Sequence, residues 1–457
     1  MLEINKPLLL KQIALLTSIL IIFVTTYYAL MFDCSEIGYQ FIDNFFNITW
    51  GIDGISLVLI ILTSLLIPLA LLSNYKNIPR NEGIFVFIIV LLGALLTLNF
   101  LCLDLLSFYL LFEATLPPLL FILGIWGANQ HIRVLNYVLL FTLGSSLFML
   151  LSIALLIFIL NTGDYLAIST VILSLDFQSV VWIGLFIGIA VKAPLMPVHV
   201  WLPVVHSESP LAGSILLARL IFKLAIYAVV RLLLSNLSEA SVIFVPFVSV
   251  IATLTIILTS LITLRQTDLK VIIAYSSIGH LGVCVLEIFA NNLIGIEGSI
   301  LLCLAHGFVS PALFLAVGGV IYDRYHHRLL HYYQGLSSYM PLFSLYLVIF
   351  SFCNIGTPLS ANFLGEFLSL CGAFQRIPLL TALAVSSVLL SAGYQMKLTN
   401  KLTGGQKSIH LTVQHDLSNR ELYLFNLLLF PTLFIGLYPS AITQFLHFSS
   451  ATYLYHL

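Results

Sequence analysis

The chain has 457 residues, of which 60% are hydrophobic and only 8% charged, with a formal net charge of −1. An ordinary soluble domain carries about 25% charged residues, so this composition excludes a solvated globule. The near-zero charge also leaves no basic footprint for nucleic acid, and no nucleic-acid partner is expected.

Apolar runs recur from end to end, each about 18–25 residues long, the length that spans a ~30 Å hydrocarbon core. They are continuously apolar rather than alternating, which excludes a membrane β-barrel. Helices remain as the way to satisfy the backbone in lipid. The opening MLEINKPLLLK is not an Arg/Ser-rich transit peptide. The apolar stretch behind it is too long for a signal-peptide core and lacks a clear cleavage site. A first span is therefore predicted over 8–31. Others follow over 52–73, 84–103, 105–126, 134–160, 178–196, 211–234, 240–264, 269–290, 294–320, 339–356, 361–373, 378–396 and 421–440. The expected fold is an all-α membrane protein of about 13–14 transmembrane helices, a single polytopic domain over 1–457 with short loops. Basic loop segments such as Lys76–Arg80 and Lys397–Lys407 are few and fall on both sides, so they set no orientation.

Cys34, Cys102, Cys284, Cys303, Cys353 and Cys371 form no CxxC or metal-type cluster. That argues against an iron–sulfur or haem site on this chain. His326, His327 and His331 in DRYHHRLLHYY have metal-like spacing, but no nearby acid or thiol set completes a site, and no metal is expected there.

Two predicted spans are interrupted. IAVKAPLMPVHVWLP carries Pro194, Pro197 and Pro203; NIGTPLSANFLGEF carries Gly356, Pro358 and Gly365. Proline and glycine at membrane depth free backbone groups that protein or water must satisfy. A matched pair of broken spans points to repeats with function at the breaks, although two ordinary proline kinks read the same way.

Ionisable residues far from any span end are the informative ones. They are Glu113, Lys192, Lys223, His280, His306 and Glu366. A charge at the bilayer centre costs about 2.5–3.5 kcal/mol on insertion scales, so these groups must face protein, water or one another. Carboxylates, lysines and histidines in one interior are suited to proton transfer, because burial and opposite charge pull on their protonation in opposite directions. A single Glu–Lys pair also fits a helix staple, and a single His a hydrogen-bonded packing residue. Six such groups spread over both halves are harder to explain as glue. Asp53, Asp104 and Asp268 fall at predicted helix starts, where a carboxylate is favoured. Glu287 and Glu297 flank a short loop and are expected at the interface.

The stretch VKAPLMPVHVWLPVVHSESPLAGSILLARLIFKL resembles the antiporter-like subunits of respiratory complex I. FYLLFEATLPP, LRQTDLKVIIAYSSIGHLG, LAHGFVSPALFL and GTPLSANFLGEF resemble the same family in the same order, over about residues 50–370. The resemblance implies two inverted five-helix repeats, about 84–235 and 240–396, each with a broken helix, and a C-terminal helix at about 421–440. It implies a proton relay through Glu113, Lys192, Lys223, His280, His306 and Glu366, supported by His199, His206 and Glu208. Glu366 stands where the related subunits 2 and 5 generally carry a lysine, and the chain ends too soon for the lateral helix of subunit 5. The N-terminus shows one span where members often have two. Arg219, one turn before Lys223, replaces the family's small residues and is expected to turn away from the lysine. The resemblance also implies proton-translocating work within NADH:ubiquinone oxidoreductase. NADH, FMN, iron–sulfur clusters and ubiquinone would be held by partner subunits and none by this chain. Related antiporter-like subunits 2 and 5 and phospholipids would be its neighbours, in the mitochondrial inner membrane or, alternatively, a bacterial plasma membrane. A subunit of a multisubunit Na+/H+ antiporter is the other function that these motifs fit.

Overall fold

The computed structural model describes residues 7–45, 48–75, 78, 80–128, 130–217, 222–406, 408, 411 and 415–455. The predicted spans are helical over most of their described length, although 178–196 gives way to turns after Lys192. The first half holds α1 (Pro7–Met31), α2 (Gly54–Ser73), α3 (Glu82–Leu101), α4 (Leu105–Ala114), α5 (Leu116–Trp126), α6 (His131–Val138), α7 (Gly144–Leu160), α8 (Tyr165–Ser169), α9 (Leu175–Lys192), α10 (Trp201–Glu208), α11 (Leu211–Leu216) and α12 (Phe222–Ala228). The second holds α13 (Ser238–Arg265), α14 (Leu269–Ile288), α15 (Leu293–Phe314), α16 (Tyr322–Tyr325), α17 (Pro341–Ile355), α18 (Ala361–Arg376), α19 (Pro378–Thr403), α20 (Asn419–Leu437) and α21 (Ser440–Tyr455). Among the described residues eleven helices are long and apolar enough to cross a membrane. Spans 211–234, 339–356 and 361–373 are built from shorter helices.

Three features were not foreseen. Strands β1 (Gln40–Phe45) and β2 (Ile48–Ile52) pair antiparallel between α1 and α2. A last helix, α21, follows the final predicted span. Wider π turns interrupt three spans at Leu139–Leu143, Val229–Leu234 and Leu315–Ile321. Such turns inside α-helices cluster at functional sites.

The aspartates at helix starts behave as expected. Asp53 caps α2 through the Ser56 amide at 2.8 Å, and Ser56 Oγ accepts from the Asp53 amide at 2.9 Å. Asp104 caps α4 and Asp268 caps α14. Each such cap is worth about 1 kcal/mol.

The hairpin marks one end of the bundle. Cys102 at the end of α3 bridges to Trp50, and Asp104 to Asp164. Lys11, Tyr75 and Glu82 meet at the opposite end, with a 2.7 Å Lys11–Glu82 ion pair. Successive spans run antiparallel between these ends. Helix α15 is the central post: the apolar window of Leu293–Tyr325 is 100% buried inside the molecule. It lies against α18 along a seam of small residues. A Cβ on Gly365 would stand 2.7 Å from the Leu302 backbone, one on Gly298 would stand 2.5 Å from the Ser369 nitrogen, and one on Gly372 would stand 2.5 Å from the Gly295 nitrogen. Small residues permit this backbone approach, which compensates for the weak drive for helices to associate in lipid.

Candidate functional site

Both interrupted spans are broken in the structure. Helix α9 stops at Lys192, and turns lead through Pro194 and Pro197 to α10. Lys192 thereby occupies a helix C-terminus, where a cation is favoured. A further break separates α4 from α5, where Pro117 and Pro118 cannot donate to the preceding turn. The Phe112 carbonyl at this junction accepts from Thr115 Oγ at 2.8 Å and from Lys192 Nζ at 2.9 Å. The same ammonium lies 3.1 Å from Glu113 Oε1 and 3.2 Å from the Phe112 ring centroid. Lys192 is buried, and the Glu113 side chain is 18% exposed. The pair therefore has one foot in the interior and one near its boundary.

A row runs from the end of the first half into the second. Lys223 on α12 reaches His306 Nδ1 on α15 at 3.2 Å. His306 Nε2 meets Ser277 Oγ on α14 at 3.0 Å, and Ser277 donates to the Ile273 carbonyl at 3.1 Å. A charged Lys223 donating to Nδ1 sets His306 in the Nε2–H tautomer, which donates onward to the serine. The His306 and His280 rings are 5.4 Å apart between centroids. His280 Nδ1 lies 3.0 Å from Glu366 Oε1 on α18. Lys223, His306 and His280 are all buried. Beside His280 and Glu366 a cleft lined by Ser260, Ser276, Ser391 and Tyr394 leaves ≈ 20 Å³, room for about one water.

The second break shapes the Glu366 end. Gly356 closes α17 with φ +79, a left-handed conformation that favours glycine. A Cβ there would stand 2.6 Å from Glu366 Oε2. Gly356→Ala should therefore push the carboxylate off His280 while the chain still assembles. A structure of the variant checks this, and an unchanged 3.0 Å His280–Glu366 contact would refute it.

The supporting residues divide. His206 is fully buried, its ring stacked 4.8 Å from Phe314, and among the described residues neither nitrogen has a hydrogen-bond partner. His199 lies 6.1 Å from the Tyr275 ring, with Nδ1 unpartnered. Glu208 stands away from the row, at the end opposite the hairpin. There it accepts from the Gln130 amide at 3.0 Å and pairs with Arg328 at 3.3 Å. Arg219 lies outside the described residues.

One expectation is corrected. Glu287 is not interfacial but 0% exposed, because the loop after α14 is folded over by the end of α18. Asn292 in that loop donates to the Gly372 carbonyl at 2.6 Å. The Glu297 side chain is only 13% exposed and pairs with His447 at 2.8 Å.

Other buried charges escaped the sequence reading. Arg231 sits 2.5 Å from Asp53 at the hairpin end, ringed by Tyr39, Tyr227 and Tyr453. Lys270, in the first turn of α14, donates to the Ser209 carbonyl at 2.9 Å. It lines a cavity of ≈ 200 Å³ with Glu208, Asp323 and Arg328. Their only signal was a basic residue inside an otherwise apolar run, close to its end. Among the described residues no group of three or more His, Cys, Asp or Glu side chains gathers to hold a metal.

Known proteins resemble this chain in sequence and in fold. The family profile described as NADH:quinone oxidoreductase/Mrp antiporter, TM matches residues 102–391, and that of NADH-ubiquinone oxidoreductase chain 4, amino terminus, matches residues 1–101. NADH-ubiquinone oxidoreductase chain 4 of Yarrowia lipolytica is 54% identical over 409 residues, covering 90% of this chain and 84% of the relative. The Arabidopsis thaliana protein of that name is 39% identical, covering 98% and 92%. A chain of respiratory complex I from Thermus thermophilus superposes with a TM-score of 0.89 at 27% identity, covering 97% of this chain and 94% of that one. A chain of the Mrp complex from a Dietzia species has the same fold, with a TM-score of 0.88 at 18% identity over 98% and 93% of the two chains. The chain is a multi-pass membrane protein that belongs to the NADH-ubiquinone oxidoreductase chain 4 family of antiporter-like complex I subunits.

Proposed function

We propose that this chain pumps protons as a membrane-arm subunit of NADH:ubiquinone oxidoreductase in the mitochondrial inner membrane, driven by electron transfer in partner subunits. The observation that carries the reading is the buried row from Lys223 through His306 and His280 to Glu366, together with the Lys192–Glu113 pair. Family membership adds the coupling to NADH oxidation and quinone reduction. NADH, FMN, iron–sulfur clusters and ubiquinone belong to the partners, among them the related subunits 2 and 5. The broken helices at Lys192 and Gly356, one in each half, support two inverted repeats over about 84–235 and 240–396.

In this scheme the Glu113–Lys192 ion pair opens and closes. When it is closed, the Lys192 charge is neutralised. When it opens, the freed cation makes a proton on Lys223 less favourable, and that proton moves to His306. From there it crosses to His280 and reaches Glu366, which releases it. Moving a proton against 100 mV costs about 2.3 kcal/mol. A change of one or two pK units at a lysine supplies about 1.36 kcal/mol each, which is of that order without large helix motions.

Glu113→Gln keeps the shape and removes the charge that pairs with Lys192. The complex carrying it should assemble but lose most of its NADH-driven proton translocation in reconstituted vesicles. Normal pumping would sink the scheme. Co-purification of redox subunits with the chain separates this reading from a Na+/H+ antiporter.

A further inference from the structure

Glu287 is a buried acid that the relay does not use. It is the last residue but one of α14, and none of its surface is exposed. Among the described residues no side chain meets its carboxyl oxygens at full hydrogen-bond geometry, the Ser369 hydroxyl is close enough to interact with them, and no cation faces it. Other buried charges have a visible structural contact: Asp53 holds Arg231, and Lys270 holds the Ser209 carbonyl. Glu287 caps no helix start, and no ion pair ties it to another helix among the described residues. A fully buried carboxyl with no cation to pair it costs stability.

Its position says which function. His280 and Glu287 are seven residues apart on α14 and therefore share a face. Glu366 and Ser369, three apart on α18, likewise share one. Ser369 faces the Glu287 carboxyl while its own hydroxyl donates to the Gly365 and Glu366 carbonyls at 2.5 and 3.0 Å. Along α15, Gly365 is level with Leu302 and Ser369 with Gly298, while the Glu287 carbonyl is level with Gly295. Seven residues of helix separate the outer two levels, so Glu287 lies roughly 10 Å nearer the hairpin end than Glu366 does. The groups facing it are Glu366 and Ser369 from α18 and Cys303 from α15. Cys303 is in turn 3.5 Å from Cys284 on α14.

We propose that Glu287 is a second proton-carrying carboxyl, taking the proton that Glu366 releases and holding it nearer the hairpin end of the bundle. The inference rests on the relay role given to Glu366 above. In the step the Glu366 O–H bond breaks and the Glu287 O–H bond forms. The Ser369 hydroxyl between them accepts one proton and gives up its own. The negative charge passes from Glu287 to Glu366, and no oxidant or reductant is needed.

The test uses the intact complex reconstituted in liposomes, with NADH-driven protons counted per electron. Three variants are compared: Glu287→Gln, Glu287→Asp and, as the control, Glu366→Gln. The expected result is that Glu287→Gln assembles normally, oxidises NADH normally with an artificial acceptor, and loses pumping by an order of magnitude or more. Glu287→Asp, which keeps the exchangeable proton, should recover most of the loss. Normal pumping by Glu287→Gln beside a silent Glu366→Gln would overturn the inference and leave the relay standing. Normal pumping by Glu366→Gln would overturn both. Failure of both Glu287 variants to assemble would make the residue a structural one and overturn the inference.

Discussion

Lys223→Met should abolish NADH-driven proton pumping, by at least about tenfold, while leaving the chain folded and assembled. Methionine matches the length and flexibility of the lysine stem and brings no charge to desolvate. The variant relieves the bilayer cost of a buried ammonium, about 2.5–3.5 kcal/mol, so stability should hold or rise. What disappears is the proton shared between Lys223 Nζ and His306 Nδ1 across 3.2 Å. In the proposed relay the Glu113–Lys192 pair would then have no partner whose proton it can displace, and His280 and Glu366 would receive nothing from the first half. Pumping in vesicles and the assembled fraction of the complex should be measured on the same preparation. Pumping near the normal rate with full assembly would remove Lys223 from the path.

Asp53→Asn should have the largest effect on stability. Asparagine is as good an N-cap as aspartate, so the cap on α2 survives and only the charge is lost. Arg231, 2% exposed, then remains in the interior without the carboxylate that stood 2.5 Å away. Stranding one partner of a buried pair costs about 3–5 kcal/mol. The damage should spread beyond one contact, because Arg231 also donates to Tyr39 and Tyr453, and Tyr453 donates to Asp53 at 3.2 Å. The hairpin, α2, the span containing Arg231 and α21 are held together at this point. Adding Arg231→Met to Asp53→Asn should restore part of the loss, since the stranded charge is gone. Thermal unfolding of the single and double variants measures the coupling. Equal destabilisation by the double variant and the sum of the singles would mean that the pair contributes nothing as a pair.

The sequence made the row legible because a charge in the middle of an apolar run is too expensive to be incidental. Glu113, Lys192, Lys223, His280, His306 and Glu366 all stand out on that ground. Near a span end the same logic loses its force, since a side chain there can reach water by stretching. Arg231, Lys270 and Glu287 sit at such ends, and sequence does not say which way they turn. All three turn inward. The spans were legible from length and apolarity, and the breaks from proline and glycine. The hairpin was not, because its strands are short and lack a clean alternation. Helix α21 was missed because Ser449, Ser450 and Thr452 dilute its apolar run. Glu208 was drawn toward the row by its neighbours in sequence, whereas the end of α10 carries it to Arg328.

The encasement of α15 sets an order on biogenesis. A ribosome delivers the chain into lipid one span at a time, so α15 must first stand among acyl chains from which its apolar window is shut off in the finished molecule. It carries His306, Glu297 and Pro311 through that exposure. Its partners α18 and α20 are made later, and the glycines facing Leu302 and Ser369 cannot engage until they arrive. Truncation before α18 therefore leaves α15 with one flank open to lipid. In such a nascent chain it is the span on which a membrane chaperone or a quality-control protease would act.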